Sequence, residues 1–540
     1  MSPSLGPPAI AAVAAAVLLI LSGCVETSPE PPAAIFTLEE ATIADINAAF
    51  DAGALSCREL AQLYLNRIAA YDDDGPRLNS IITLNPQALD TARALDEERA
   101  SSGRRSDLHC IPVLLKDNID TDDMPTSNGS VILKDAIPPD DAYITSALRE
   151  AGALILGKAS LGGQTLNPYR LLRSAGASSS GSAVAVAANL TVVAVGTETS
   201  TSVRGPASFS GIVGLRPTTG LISRDGIAPE NLNFDTAGPM ARTVTDMAIL
   251  FTAIAGPDPA DPDNLNLSVY ATHPAGPLAE RFDYTQFLRR GPLRRARLGV
   301  ARDFFGGDPE IDALAETAIA AMKELGAEII DPVTFDGSFV SGVRTIADYR
   351  FKADWEAYLA AFGPDVPKTL AEFLQLYRTD VADSSLPAEQ SVLNRLARAS
   401  VTSTDHPDYV DLVENVLPRN TQLKLDLFTT YNLDALVFPY NASFAPPVEA
   451  PTIVAADPTY VPSGGVRSPS TLAGYSSVGF SGIVVPMGFG SQGLPMTIAF
   501  LGRPYDEGKL IGYAYDYEQA TMMRRPSLLV PPLHGEAIER

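Results

Sequence analysis

The chain has few basic residues for its size. Its 540 residues include 40 Lys and Arg against 64 Asp and Glu, which gives a formal net charge of −24. Because proteins bind nucleic acids through basic surfaces that displace counterions, this balance argues against a nucleic-acid partner. The composition thus excludes a polyanion as the expected partner.

Cysteine and histidine are also scarce. The chain has three cysteines and four histidines, and the histidines (109, 273, 406 and 534) are scattered without metal-ligand spacing. No Gly-Lys-Ser/Thr phosphate-binding loop is present. We therefore expect neither a metal nor another cofactor. A large core does not need a disulfide, so we expect Cys57 and Cys110 to be two buried free thiols.

The longest apolar run lies at the amino terminus. Residues 9–21 are too few to span a bilayer but suit the core of a signal peptide, and Leu21-Ser-Gly-Cys24 is similar to a bacterial lipoprotein box. We predict a lipoprotein-type signal peptide at 1–23 and a flexible tether at 24–37. The alternative is an ordinary secretory signal with a chance cysteine, since residues 1–8 contain no Lys or Arg. Either interpretation predicts export, with membrane contact only through a lipid on Cys24.

The rest of the chain has the composition of a large soluble enzyme. Hydrophobic residues make up 46% and charged residues 19%, which supports one large domain or two. Strand candidates alternate with amphipathic segments, as in an α/β protein: 78–84, 111–115, 153–156, 192–195, 298–300, 435–438 and 496–500. Capping boxes at Thr37-Leu-Glu-Glu40 and Ser56-Cys-Arg-Glu59 predict two helix starts. Residues 257–292 and 442–470 are expected to be long surface connections.

Two serines lie in stretches of very small side chains. Ser178 is in Gly176-Ala-Ser-Ser-Ser-Gly-Ser182, and Ser202 is in Gly196-Thr-Glu-Thr-Ser-Thr-Ser-Val-Arg204. Such stretches let backbone amides approach a bound anionic group. The segment between them predicts a short helix at 183–188 and a strand at 191–195. Another apolar strand ends at Lys116, which is therefore a candidate base. Taken singly, each serine would be a helix cap or turn residue and the lysine a solvated side chain.

Seven motifs occur in one order, and together they resemble the amidase signature family over roughly residues 38–525. They are Ile111-Pro-Val-Leu-Leu-Lys-Asp-Asn118, Ser178-Ser-Ser-Gly-Ser182, Gly196-Thr-Glu198 to Ser202, Val203-Arg-Gly-Pro-Ala207, Gly211-Ile-Val-Gly-Leu-Arg-Pro217, Asp235-Thr-Ala-Gly-Pro-Met240 and Gly493-Leu-Pro-Met496. The resemblance implies one large twisted mixed β-sheet covered by helices on both faces. It also implies a single catalytic domain at 38–525, followed by a tail at 526–540.

The family uses a Ser-Ser-Lys triad, so the resemblance implies a role for each matching residue. Ser202 would be the nucleophile, Ser178 a proton relay with a cis peptide bond, and Lys116 the base, with Ser179 competing for the relay. Since an ammonium cannot accept a proton, Lys116 needs a pKa depressed by roughly 3 units from ~10.4. The resemblance places the oxyanion hole at the backbone amides of Thr199, Ser200, Thr201 and Ser202. It gives Asp117, Ser179 and Arg204 supporting roles.

Two departures from the family pattern affect the predicted site. Ser180, Ser200 and Thr201 stand where the family has glycines, and a β-branched residue at 201 resists a positive φ. Either the turn uses an ordinary φ or the oxyanion hole is re-aimed. The blocks at 157–161 and 162–168 also abut, whereas the family carries a longer stretch there, which predicts a more open site. Aromatic residues between 349 and 377 are candidates for the pocket wall or for the core.

Three function classes follow. The first is an exported amidase that hydrolyses small-molecule or peptide carboxamides, with ester and carbamate cleavage as side activities. The second is a weakly active or inactive ligand-binding protein of the same fold. The third is the amidase component of a glutamine-dependent amidotransferase, which the acidic charge and the export signal disfavour.

Overall fold

A computed structural model describes residues 36–261, 282–334, 343–381, 387–448, 460–468 and 479–538. The predicted signal peptide at 1–23, Cys24 and most of the tether lie outside these residues, as do parts of both predicted surface connections. None of the described helices combines the length and the hydropathy needed to cross a membrane.

A mixed sheet of eleven strands forms the centre of the described structure, with the order β2-β4-β3-β5-β7-β6-β11-β12-β10-β8-β9, and β1 and β13 form a separate pair. The strands are β1 (Phe36–Thr37), β2 (Ile81–Leu84), β3 (Pro112–Lys116), β4 (Leu154–Ala159), β5 (Val193–Glu198), β6 (Val213–Arg216), β7 (Thr236–Ala241), β8 (Arg297–Ala301), β9 (Glu328–Val333), β10 (Ala435–Pro439), β11 (Gly482–Phe489), β12 (Pro495–Leu501) and β13 (Ala537–Ile538). This confirms the predicted α/β fold with one large mixed sheet.

Helices surround the sheet. They are α1 (Ile43–Asp51), α2 (Cys57–Ile68), α3 (Ala88–Ser102), α4 (Tyr143–Glu150), α5 (Ser180–Ala187), α6 (Arg204–Phe209), α7 (Val244–Ile254), α8 (Pro309–Glu324), α9 (Val343–Ala347), α10 (Phe351–Ala360), α11 (Leu370–Leu376), α12 (Pro387–Ser400), α13 (Pro407–Asp411), α14 (Leu417–Thr430) and α15 (Glu507–Thr521). Every residue of β3, β4 and β5 is buried. Continuous burial of this kind requires cover on both faces of the sheet.

The two predicted capping boxes have different outcomes. Ser56 caps α2 and forms the reciprocal box with Glu59, as predicted. The box at Thr37 is wrong, because Thr37 belongs to β1, which pairs with β13. Helix α1 begins later, at Ile43, and its capping box is formed by Thr42 and Asp45.

The site is positioned by three adjacent strands. β3 runs parallel to both β4 and β5, with Leu115 opposite Lys158 on one side and Val195 on the other. The carboxyl ends of the three strands therefore meet at one edge of the sheet. Lys116 is the last residue of β3, and the turn after β5 begins beside it.

The state of the two cysteines differs from the prediction made from the sequence. Cys57 and Cys110 form a disulfide with a Cα–Cα distance of 5.2 Å, so they are not free thiols. The first residue of α2 meets the segment just before β3, across 53 residues of sequence. That proximity is set by packing of the folded chain, which the spacing of the cysteines does not encode.

The first and last described strands meet on one side of the domain. β1 pairs antiparallel with β13, and the buried Arg67 of α2 forms an ion pair of 2.7 Å with Glu536. The Arg67 guanidinium also donates to the carbonyls of Val530 and Ala188, at 2.8 and 3.1 Å. The described part of the predicted 526–540 tail is thus packed on the domain.

Candidate active site

Lys116 lies at the buried end of β3 with its amine among hydroxyl groups. Its side chain is only 2% exposed, and its Nζ donates to Ser178 Oγ and to Thr197 Oγ1, each at 2.8 Å. Burial lowers the pKa of Lys116 to about 8, against the opposing influence of the Glu230, Asp235 and Glu198 carboxylates. A substantial neutral fraction near neutral pH suits this amine to accept a proton.

Ser178, and not Ser179, faces Lys116. The Ser179 hydroxyl donates to the Thr197 carbonyl at 3.0 Å and accepts the Thr197 N–H at 3.1 Å, so it fastens the start of α5 to β5. Its own N–H donates to the Ser202 carbonyl at 3.1 Å. The single cis peptide bond among the described residues joins Asp331 and Pro332, so the cis bond that the family resemblance implied at Ser178 is not found.

Ser202 lies in the turn between β5 and α6. It is 9% exposed, and within the described residues its hydroxyl forms no hydrogen bond, including none to Ser178. The amides of Thr199, Ser200, Thr201 and Ser202 likewise donate no hydrogen bond to any described group. Four amides in one turn thus have no partner within the described residues, and the oxyanion hole that the resemblance implied there stays a prediction.

Thr201 has an ordinary backbone conformation. It is not among the described non-glycine residues with a positive φ, and its carbonyl accepts the Gly205 N–H at 2.8 Å as α6 begins. Of the two alternatives for this departure from the family pattern, the structure shows the turn with an ordinary φ. The Thr201 side chain therefore imposes no left-handed strain there.

A buried ion pair holds the turn. The Arg204 guanidinium donates to Glu198 Oε1 through Nε and Nη2, at 2.9 and 2.6 Å. Glu198 Oε2 accepts the N–H groups of Val203 and Arg204, each at 2.9 Å. Burial raises the pKa of Glu198, but Arg204 and Arg216 outweigh it and hold that pKa below its ordinary value. Arg204 thus contacts the turn and not the reacting serines.

Asp117 binds a neighbouring loop. Its carboxylate accepts hydrogen bonds from the Ser127 hydroxyl and from the Gly129 N–H, the latter at 3.1 Å. Its backbone carbonyl accepts the Asn128 N–H at 3.1 Å. These contacts fix the chain directly after Lys116, which is the geometry expected of a supporting residue.

A cavity of about 190 Å³, here called the inner pocket, opens onto Lys116 and Ser178. The other residues around it include Thr197, Thr199, Leu161, Phe351 and Arg395. The Arg395 guanidinium lies 5.4 Å from the centre of the Phe351 ring and 3.0 Å from Asp348. Among the predicted aromatic candidates, Phe351 is thus a pocket residue, whereas Trp355 and Phe373 pack in an apolar cluster.

A sequence model of the family described as Amidase matches residues 59–511. The chain belongs to the amidase signature family. It is therefore an amidohydrolase, as the motifs predicted.

Known relatives align with this amidase over most of its length. A probable amidase of Arabidopsis thaliana is 33% identical over 94% of this chain and 96% of its own length. A component of the glutamyl-tRNA(Gln) amidotransferase of Caldanaerobacter subterraneus is 30% identical, with 86% and 93% covered. The native peptide amidase of Stenotrophomonas maltophilia is similar in structure, with a TM-score of 0.77, 37% identity, and 91% and 99% of the two chains covered.

Several groups in this amidase's site were not assigned from the sequence. Thr197 Oγ1 accepts from both Lys116 and Asn118 Nδ2, the latter at 3.1 Å. The Thr199 hydroxyl lies 2.5 Å from a carboxylate oxygen of Asp235 and 3.1 Å from one of Glu230. Thr197 could have been found from the pairing of β3 with β5. Glu230 carried no sequence signal, because the loop that brings it to the pocket is irregular.

The described residues contain one group of three metal-type ligands, Cys57, His109 and Cys110. Two of its three ligand atoms are the sulfurs of the disulfide. Thiolates, not disulfide sulfurs, are the cysteine form that binds metals. This group is therefore a cross-link in the amidase and not a metal centre.

Proposed function

We propose that this amidase cleaves carboxamides through Ser202 as nucleophile, Ser178 as proton relay and Lys116 as base. The observation that carries the proposal is the 2.8 Å contact between the Lys116 amine and the Ser178 hydroxyl. It occurs where burial lowers the pKa of the amine to about 8, beside a turn with free amides. At pH 7 a pKa of 8 leaves about a tenth of Lys116 neutral.

The proton path follows from these positions. Neutral Lys116 takes the Ser178 proton, Ser178 takes the Ser202 proton, and Ser202 Oγ attacks the carbonyl carbon. The carbonyl oxygen becomes an oxyanion that the free amides of residues 199–202 can hold. Collapse of the intermediate breaks the C–N bond, and Ser178 returns a proton to the leaving nitrogen. Water then attacks the acyl-serine, and the acid is released as Ser202 recovers its proton.

The step from Ser178 to Ser202 requires the two hydroxyls to come within hydrogen-bond reach. Catalytic hydrogen bonds that are long or absent in a ligand-free site commonly form in the substrate complex. The Ser179 N–H already holds the Ser202 carbonyl at 3.1 Å, so the nucleophile is tied to the residue next to the relay.

The substrate that we infer is a small-molecule or peptide carboxamide, with esters and carbamates as slower substrates. The 37% identity with a peptide amidase over 91% of the chain supports this class. So does the inner pocket of about 190 Å³, which accommodates an unsubstituted or lightly substituted amide nitrogen and a short acyl group.

A serine-directed fluorophosphonate probe tests the assignment of the nucleophile. The wild type should be labelled, and Ser202→Ala should not be labelled while keeping the wild-type thermal transition. Ser101→Ala is the control, since it removes an exposed hydroxyl on α3 that lies outside the proton path. Labelling of Ser202→Ala at the wild-type rate would refute the proposal.

The second candidate, a weakly active ligand-binding protein, is favoured by the unformed bond between Ser178 and Ser202. Hydrolysis of a chromogenic anilide separates it from an amidase. The third candidate is supported by the relatives named as amidotransferase components. The net charge of −24 opposes a transfer-RNA partner. Amide hydrolysis by the isolated chain, without partner proteins, would count against this third role.

We also propose that the enzyme is exported and carries a lipid on Cys24. The Cys57–Cys110 disulfide supports export, because disulfides persist in oxidising compartments. Expression in a bacterial host should place the wild type in the membrane fraction and Cys24→Ala in the soluble exported fraction. Retention of both proteins in the cytoplasm would refute export.

A further inference from the structure

A second cavity, here called the outer cavity, adjoins the inner pocket. Its volume is about 340 Å³, compared with about 190 Å³ for the inner pocket. Four residues line both spaces, namely Arg224, Ile227, Pro229 and Leu232. These residues form the wall that the two cavities share. An acyl group too long for the inner pocket has the outer cavity as its adjoining space.

The outer cavity combines apolar walls with carboxylates. Ile227, Leu232, Ala361 and Phe362 give it an apolar side. Its four carboxylates belong to Asp120, Asp140, Asp225 and Asp354. An apolar wall ending in acidic groups matches a ligand with a hydrocarbon stem and a cationic head.

The cations in the cavity wall do not balance these carboxylates. The Arg350 guanidinium pairs with Asp354 at 2.5 and 3.0 Å. The Arg224 guanidinium pairs at 2.9 Å with Asp261, which is buried outside the cavity lining. Both guanidinium groups are therefore already paired with other carboxylates, and they do not balance the charges of Asp225 and Asp140.

The remaining carboxylates differ in their partners. Asp120 accepts the Tyr358 hydroxyl at 2.8 Å. The side chains of Asp225 and Asp140 form no hydrogen bond or ion pair within the described part of the chain. Burial, followed by the charges of Asp258, Asp140 and Asp261, raises the pKa of Asp225 to about 6. The structure thus concentrates negative charge at Asp225, and a bound cation would relieve it.

We propose that the outer cavity is a substrate subsite that selects amides whose acyl part carries a primary ammonium or guanidinium group on a flexible stem. Asp225 receives the cationic head and the apolar wall receives the stem. This inference rests on the proposed function, because it assigns the acyl part of the same substrate.

Three amides of matched length test the subsite. They are the primary amides of Nα-acetyl-lysine, Nα-acetyl-norleucine and Nα-acetyl-glutamate, and the measurement is kcat/KM for ammonia release. The wild type should prefer the lysine amide over the norleucine amide by about tenfold, as expected for one partly screened ion pair, with the glutamate amide slowest.

In Asp225→Asn, kcat/KM for the lysine amide should fall until it is close to the value for the norleucine amide. The value for the norleucine amide itself should change little. The substitution keeps the backbone contacts of residue 225, whose N–H donates to Ser223 Oγ at 3.0 Å. Asp90→Asn, an exposed aspartate on α3, is the matched control and should leave the ratio unchanged. An unchanged ratio in Asp225→Asn, or a wild type that does not prefer lysine, overturns the subsite.

Binding to Ser202→Ala separates this inference from the proposed function. Calorimetry should show about tenfold tighter binding of the lysine amide than of the norleucine amide, and the difference should vanish in Ser202→Ala/Asp225→Asn. Selective binding without turnover by the wild type would contradict the hydrolytic function and retain the subsite. Turnover without charge selectivity would retain the function and overturn the subsite.

Discussion

Two buried lysines on neighbouring strands, Lys116 of β3 and Lys158 of β4, have opposite surroundings. Lys158 is fully buried, and its Nζ donates to the Ile119 carbonyl at 2.5 Å and to Thr126 Oγ1 at 2.9 Å. Burial lowers the pKa of Lys158, while the charges of Asp117 and Asp120 oppose it. The Lys116 amine contacts the hydroxyls of Ser178 and Thr197, and it also donates to the Thr197 carbonyl at 3.4 Å.

The difference shows that burial alone does not make a lysine a base. Carboxylates oppose the lowering of the pKa at both amines, so nearby negative charge does not distinguish the two lysines. What distinguishes them is that the Lys116 amine contacts Ser178 at the inner pocket, whereas the Lys158 amine contacts Ile119 and Thr126. This difference agrees with the proposed role of Lys116 as the base and with a structural role for Lys158.

The largest expected effect comes from removing Lys116. Lys116→Ala should lower kcat/KM on a primary amide by ~10⁴ or more, because the triad acts as a unit and loses its proton acceptor. Ser178→Ala should lose a similar factor, and the double variant little more. Steady-state assays of the three proteins check this, and multiplying losses would contradict a shared role.

Replacing Lys158 should affect stability instead. Lys158→Met removes a buried cation and the two hydrogen bonds that its amine makes with Ile119 and Thr126, and we expect the free energy of unfolding to fall by about 2 kcal/mol. The folded variant should retain kcat within about tenfold. Urea unfolding measures the first quantity, with Lys134→Met, an exposed lysine, as the control. A Lys158→Met variant that is stable but inactive would contradict the comparison, because Lys158 would then be required for activity and not for stability.

The pH dependence of kcat/KM distinguishes the amines of Lys116 and Lys158, with an expected effect of intermediate size. Protonated Lys116 cannot accept a proton, so kcat/KM should fall about tenfold per pH unit below a midpoint near pH 8 and reach a plateau above it. Lys158→Met should keep this midpoint. Lys116→Arg should be inactive at every pH, because a guanidinium keeps its proton. A midpoint that shifts in Lys158→Met would show that Lys158 of β4, and not Lys116 of β3, controls the pH dependence.

The smallest expected effect is at Thr201, beside the Lys116 site. Because its φ is ordinary, Thr201→Gly relieves no strain, and kcat should stay unchanged or fall by a small factor. The added flexibility should cost about 0.5–1 kcal/mol of unfolding free energy. Kinetics and denaturant unfolding of the same sample test both statements. A tenfold rise in kcat would instead show that the Thr201 side chain impairs the predicted oxyanion hole.

The sequence predicted seven of the eleven strands of the large sheet and missed β6, β7, β9 and β11. β7 contains Gly238 and Pro239, residues that usually argue against an interior strand, yet it pairs with both β5 and β6. β9 was missed because most of its residues are exposed or only partly buried. Burial does not separate the two sets, since β2 was predicted although it is only partly buried, and β11 was missed although nearly all of it is buried.

The residues of the site also fall into two groups, those found from sequence motifs and those brought together only by the fold. Lys116, Ser178 and Ser202 were found because each lies in a short motif with small or apolar neighbours, and their catalytic roles stay predictions. Glu230, Asp235 and the disulfide depend on distances across the folded chain. Cys57 and Cys110 are 53 residues apart and meet only through the packing of α2 beside β3.

The pairing of β1 with β13 has a practical consequence for engineering. Phe36 lies opposite Ile538, so a short linker could join these two positions and new termini could be opened elsewhere, giving a circular permutant with an intact sheet.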